Sequence, residues 1–96
     1  MKLKIDIFAG RLKPGDKLSS VRDFALQFKV NPNTVQKALS ELEATGMIFT
    51  ERTNGKYVTS NQELISRYRD EYAKTLTREY KFKMKEIGKE VKEVND

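Results

Sequence analysis

Apolar residues recur along this chain first at helical spacing, then in a short strand-like run, then at helical spacing again. Leu3 and Ile7 stand four apart, and Gly10 is a natural terminator, so Leu3 to Ala9 reads as the end of a helix. Leu12-Lys13-Pro14-Gly15-Asp16 breaks the rhythm, because Pro-Gly fits the central positions of a type II turn. Ser20 is a good N-cap, with Asp23 at the N3 position. Val21, Phe24, Ala25 and Phe28 then fall at i, i+3, i+4 and i+7, predicting a helix to about Phe28. Lys29-Val30 makes a short turn. Asn31 caps the next helix, and Pro32 at N1 costs nothing there because that N–H has no intrahelical partner. Val35, Ala38, Leu39 and Leu42 repeat the apolar pattern, and Gly46 closes it.

Met47 to Arg52 is apolar and β-branched enough for a strand, with Lys56 to Thr59 as its return. Asn54-Gly55 between them predicts a hairpin closed by a type I′ turn, which needs positive φ at both central residues. From about Gln62 the helical spacing returns: Ile65, Tyr68, Tyr72, Leu76, Tyr80, Met84 and Ile87 form one long apolar stripe. Gly88 interrupts it, and Val91 and Val94 are expected in a last short turn. The fold class expected is mainly α with a small β-hairpin: a winged helix-turn-helix over residues 1–60 and a helical dimerisation tail over residues 61–96.

Two short helices joined by a tight turn, the second followed by a hairpin, describe a motif whose second helix enters the DNA major groove by its N-terminal residues. Those residues are Asn31, Asn33, Thr34, Gln36 and Lys37, with no acid among them. Asn and Gln can bond adenine bidentately, and Lys suits guanine or phosphate. Acids appear only later, at Glu41 and Glu43. Arg22, in the first turn of the preceding helix, is read as a phosphate or base-edge contact, with a surface ion pair to Asp23 or Asp16 as the alternative. Arg52, Asn54, Gly55 and Lys56 surround the hairpin tip, where a wing reaches the minor groove or phosphates, unless they serve only solubility.

Charge adds to this picture. The 96 residues carry a formal charge of +5, and a basic balance suits a polyanionic partner. Residues 1–60 hold 10 Lys/Arg against 6 Asp/Glu, and residues 61–96 hold 9 against 8, so the excess sits where the helix-turn-helix is expected. Histidine and cysteine are both absent. That removes disulfides, thiolate metal sites, the commonest general base and the commonest zinc ligand. The five glycines stand singly, so no phosphate-binding loop is present. No enzyme, cofactor or metal is expected. No apolar run approaches the roughly 18 residues of a membrane span, and Lys2, Lys4 and Asp6 interrupt any signal-peptide core. The expected location is the cytoplasm.

The stretch Gly10-Arg11-Leu12-Lys13-Pro14-Gly15-Asp16-Lys17-Leu18 with Ser20-Val21-Arg22 resembles the opening signature of GntR-type regulators. Val30-Asn31-Pro32-Asn33-Thr34-Val35, then Ala38-Leu39 and Leu42-Glu43 up to Gly46, is similar to their recognition helix, and Gly55-Lys56-Tyr57-Val58 to their wing. The resemblance covers roughly residues 3–60. The tail, a long helix, then Gly88, then a short helix, resembles the small-tailed YtrA-type subgroup, whose members lack a large ligand-binding domain and typically repress transport operons as homodimers. By position, the resemblance puts DNA contacts on Arg22, Asn31, Asn33, Thr34, Gln36 and Arg52. Three positions depart from the family: Ser19 replaces a usual proline, Thr53 a usual wing glycine, and Gln36 an arginine of many members. The family also carries a longer segment ahead of the position of Leu3.

Partners expected are therefore double-stranded operator DNA and a second copy of the chain, with no membrane. The stripe of Ile65, Tyr68, Tyr72, Leu76, Tyr80, Met84 and Ile87 is the expected dimerisation face. Tyr68, Tyr72 and Tyr80 read as packing residues there, with a small-molecule effector pocket as the alternative. Arg67, Arg69, Asp70, Glu71, Lys74 and Arg78 read as its solvated rim. The rival function is a winged-helix protein-interaction module without specific DNA binding, and the acid-free start of the recognition helix argues against it.

Overall fold

A computed structural model of the chain describes residues 1–89, so the expected turn at Val91 and Val94 lies outside the described residues. The chain divides into two units, Met1–Ser66 and Arg67–Asp96. The element order is α1 (Leu3–Phe8), α2 (Val21–Phe28), α3 (Pro32–Ala44), β1 (Ile48–Glu51), β2 (Gly55–Val58) and α4 (Gln62–Glu86). This is the expected mainly helical fold with a small antiparallel hairpin.

In the first unit, side-chain caps fix where the helices begin. Ser20 Oγ accepts the Asp23 N–H at 3.1 Å, and Asn31 Oδ1 accepts the Asn33 N–H at 2.8 Å with Pro32 just inside the helix. Each such cap contributes about 1 kcal/mol. Helix α4 has a third cap of this kind: Asn61 Oδ1 accepts the Leu64 N–H at 3.1 Å. The end of α3 is closed by two bonds, Gly46 N–H to the Glu43 carbonyl at 3.0 Å and Met47 N–H to the Leu42 carbonyl at 3.1 Å, the Schellman pairing that satisfies the last carbonyls. Helix α2 ends differently, on Lys29 in the left-handed region at φ 55°.

The core is built by the predicted apolar faces. Phe24 and Ala25 of α2 meet Val35, Leu39 and Leu42 of α3, and α1 adds Leu3 and Ile7. Ile48, Val58, Met47 and Leu18 close it from the hairpin side. Ile65, from the first turn and a half of α4, is also buried in this unit. Burying each large aliphatic side chain contributes about 1.5–3 kcal/mol. The unit thus includes residues 61–66 beyond the winged helix-turn-helix read from sequence.

The hairpin forms, but its turn is not the expected type I′. The register pairs Ile48 with Val58, Phe49 with Tyr57, Thr50 with Lys56 and Glu51 with Gly55. Three residues, Arg52-Thr53-Asn54, separate the last pair, and the Asn54 N–H donates to the Glu51 carbonyl at 3.3 Å. Positive φ falls on Gly55 (102°) and not on Asn54, since Lys29 is the only non-glycine with positive φ among the described residues. The hydrophobic register explains the difference. A two-residue Asn54-Gly55 turn would set Glu51 opposite Val58 and push a carboxylate onto the core face. The longer loop keeps Ile48 and Val58 together and inward, and register follows the buried face over the local turn signal.

A third segment pairs with the hairpin, which the sequence pattern did not foretell. The Gly15 N–H donates to the Val58 carbonyl at 3.0 Å, the Val58 N–H to the Asp16 carbonyl at 2.8 Å, and the Leu18 N–H to the Lys56 carbonyl at 2.8 Å. Lys17 bridges Tyr57. The preceding Lys13-Pro14-Gly15-Asp16 is the expected type II turn: Gly15 has φ 83°, and the Asp16 N–H returns to the Lys13 carbonyl at 3.0 Å.

The second unit is described from Arg67 to Lys89. It continues α4 to Glu86 and ends at Gly88 as expected, with Gly88 N–H to the Lys85 carbonyl at 3.0 Å and Lys89 N–H to the Met84 carbonyl at 2.9 Å. Of the expected stripe, Leu76, Tyr80 and Ile87 are exposed, and Tyr68, Tyr72 and Met84 are half-buried. Phe82, off that stripe, is exposed as well. The Arg67 guanidinium lies 5.6 Å from the centre of the Tyr68 ring.

Candidate nucleic-acid interface

Val35 is fully buried in the core, and this sets the roll of α3. Asn33 and Lys37, each two positions from Val35, are thereby carried to the opposite side of the helix, with Gln36 beside them. Asn31, Asn33, Thr34, Gln36 and Lys37 are all exposed. No acid stands in the first turn, where the helix dipole is positive and backbone N–H groups face outward. Among the described residues, the side chains of Asn33, Thr34, Gln36 and Lys37 form no hydrogen bond or ion pair, so their polar atoms face solvent unpaired. Asn31 differs. Its Oδ1 is engaged in capping, and a bidentate contact to a base would cost the cap. Asn33 is the better-placed amide.

Arg22 is exposed in the first turn of α2, which packs on α3. Its alternative use as an ion-pair partner of Asp23 or Asp16 is not realised. The Asp16 carboxylate instead accepts the Lys13 N–H at 2.8 Å, and Arg22 forms no ion pair among the described residues.

At the hairpin tip, Arg52, Asn54 and Gly55 are exposed. Lys56 is set apart from them. Its Nζ lies 3.2 Å from Glu43 Oε2 and 3.3 Å from Oε1, and donates to Thr50 Oγ1 at 2.8 Å. The Thr50 hydroxyl also donates to Glu43 Oε1. The Thr50 hydroxyl, the Lys56 ammonium bond and the Lys56 charge together hold the Glu43 carboxyl below its ordinary value of 4.5, against a smaller opposing effect of burial. Nothing in the order of residues marks this triad except the strand period: Thr50 and Lys56 share the face of Ile48 and Val58, directed at α3.

Away from Asn33, the C-terminal half of α3 borders an open cleft of about 280 Å³, lined by Leu3, Lys4, Ala38, Glu41, Leu42 and Met47 among others. Among the described residues no cluster of acids could hold a metal ion, and no helix is long and apolar enough to cross a membrane.

Comparison with known proteins agrees with this fold. The chain is 40% identical over 77 residues to the uncharacterized HTH-type transcriptional regulator YhcF of Bacillus subtilis, covering 80% of this chain and 64% of that protein. It is 54% identical over 52 residues to the HTH-type transcriptional repressor YtrA of the same organism, covering 54% of this chain and 40% of that one. The chain therefore spans less than two thirds of either relative. The solved structure of a GntR family transcriptional regulator from Listeria monocytogenes superposes with a TM-score of 0.81 at 40% identity, over 90% of this chain and 75% of that one. Residues 1–58 match the family model described as bacterial regulatory proteins, gntR family. Regulators and not enzymes make up this group, and with more than half its length matched, the chain belongs to the gntR family of bacterial regulatory proteins.

Proposed function

We propose that the chain is a cytoplasmic, sequence-specific repressor that binds an inverted-repeat operator as a homodimer. The observation that carries this reading is the acid-free start of α3, with Asn33, Gln36 and Lys37 exposed and unpaired on the side opposite the core. Arg22 and Arg52 supply exposed cations on α2 and at the wing tip, suited to phosphate contacts that fix the register of α3 in the groove. Repression is supported by the likeness to YtrA, a transcriptional repressor. The small-tailed resemblance extends this to a transport-related operon. Dimerisation is assigned to the tail, through Tyr68, Tyr72, Leu76, Tyr80, Met84 and Ile87, whereas Ile65 serves the core of the first unit.

A titration of labelled duplex DNA across a salt series tests the reading. Binding is expected to weaken steeply as salt rises. Arg22→Ala is expected to lower the log–log slope by about 2 per dimer, one phosphate contact from each protomer. A protein that binds no duplex at low salt would contradict DNA binding altogether. An unchanged slope and affinity would remove Arg22 from the interface.

A further inference from the structure

Resting on the DNA-binding reading above, we infer that Lys56 is not a DNA contact but a positioning residue, which with Glu43 and Thr50 locks the wing to the recognition helix. The three side chains come from three elements: Glu43 from the last turns of α3, Thr50 from β1 and Lys56 from β2. The strand register sets Thr50 directly opposite Lys56, and both side chains rise on the sheet face that carries Ile48 and Val58. Glu43 closes the triangle, taking the Thr50 hydroxyl and the Lys56 ammonium together. The ammonium thus has two partners, Glu43 and Thr50.

Two consequences separate Lys56 from the other cations of the interface. Its positive charge is locally compensated by Glu43, so transferring it to a phosphate would leave the Glu43 carboxylate without its cation and the Thr50 oxygen without its donor. Arg52, four residues away on the tip, is exposed with no such partner among the described residues. Moreover, the triad joins α3 to the hairpin beyond the last buried pair. Ile48 and Val58 anchor the base of the hairpin in the core, but Thr50 and Lys56 lie one further step toward the tip. Without the triad the outer half of the hairpin keeps its backbone tie to Leu18 on the β2 edge but loses these side-chain ties to α3, and Arg52 is then held less firmly relative to the recognition helix. A wing contact is worth most when its geometry is set before binding.

The test compares the full chain with Lys56→Met, Glu43→Gln and the double variant. Thermal unfolding checks that each is folded. In the free protein, carbon-13 titration of Glu43 is expected to move its midpoint upward in Lys56→Met. On duplex DNA, Lys56→Met and Glu43→Gln are each expected to weaken specific binding by roughly threefold to tenfold, the scale of one net hydrogen bond. The double variant should lose no more than either single one, and the salt slope should stay at the wild-type value in all three. A slope lowered by about 0.9 per protomer in Lys56→Met would make Lys56 a phosphate contact and overturn the inference. So would tighter binding in Glu43→Gln, the sign of a lysine released to DNA. A wild-type protein that binds no duplex overturns the DNA reading and this role with it, whereas a wild type that binds and a Lys56→Met that alters nothing overturn this role alone.

Discussion

Asn33 and Asn31 stand two residues apart with the same amide, and their surroundings assign them different work. Asn31 Oδ1 holds the Asn33 N–H at 2.8 Å, so its acceptor belongs to the helix. The Asn33 side chain is exposed and unpaired, with both halves of the amide available for an adenine edge. Asn33→Ala is therefore expected to cost about 1–3 kcal/mol per half-site on the preferred sequence, and little on random DNA, where phosphate contacts dominate. One titration series with both proteins on both duplexes decides it, and an equal loss on the two would mean that Asn33 places the helix without reading a base. At this scale the sequence was legible wherever partners are local. Ser20 and Asn31 announce their caps within three residues. Lys56 is the opposite case: its partner Glu43 lies 13 residues back, and the local hint is confined to the strand period that sets it on the face of Val58.

Helices α2 and α3 were readable because their apolar spacing, caps and terminators all agree. The hairpin was readable as a hairpin, but its two signals conflict. Asn54-Gly55 favours a two-residue turn, and the alternation of Ile48 and Val58 demands a longer one. Burial wins, and the positive φ falls on Gly55 alone. The consequence can be measured by urea unfolding. Gly55→Ala, forced to φ 102°, is expected to destabilise by about 1–3 kcal/mol, and Asn54→Ala by about 0.5 kcal/mol or less. Comparable losses at the two positions would restore the type I′ turn. The strand-like segment around Lys17 was illegible for a plain reason. Asp16-Lys17-Leu18 is too short to show alternation, and its pairing with β2 is made by backbone groups that any residue carries. Asn61, by contrast, could have been found, since an Asn just before an apolar-periodic run is an ordinary start signal.

For the whole molecule, the proposed dimer gives the tail the task of bringing two recognition helices to one operator. Leu76 and Tyr80 are about half exposed, and Phe82 and Ile87 more so, an apolar display that favours association. A homodimer built on α4 is expected, sedimenting at micromolar concentration with twice the 11.1 kDa chain mass. Tyr80→Glu should shift it toward monomer and weaken DNA binding with it, and wild-type protein sedimenting at the chain mass alone would contradict dimerisation. A two-fold dimer presents α3 twice to the same side of the duplex, which makes the operator a symmetry prediction as well as a chemical one. Selection of bound sequences from random duplex DNA tests the central claim most directly. Expected is an enriched inverted repeat, its half-sites about 10 base pairs apart centre to centre, with adenine at the step that loses preference in Asn33→Ala. A pool that stays random through repeated rounds would contradict sequence-specific recognition by α3.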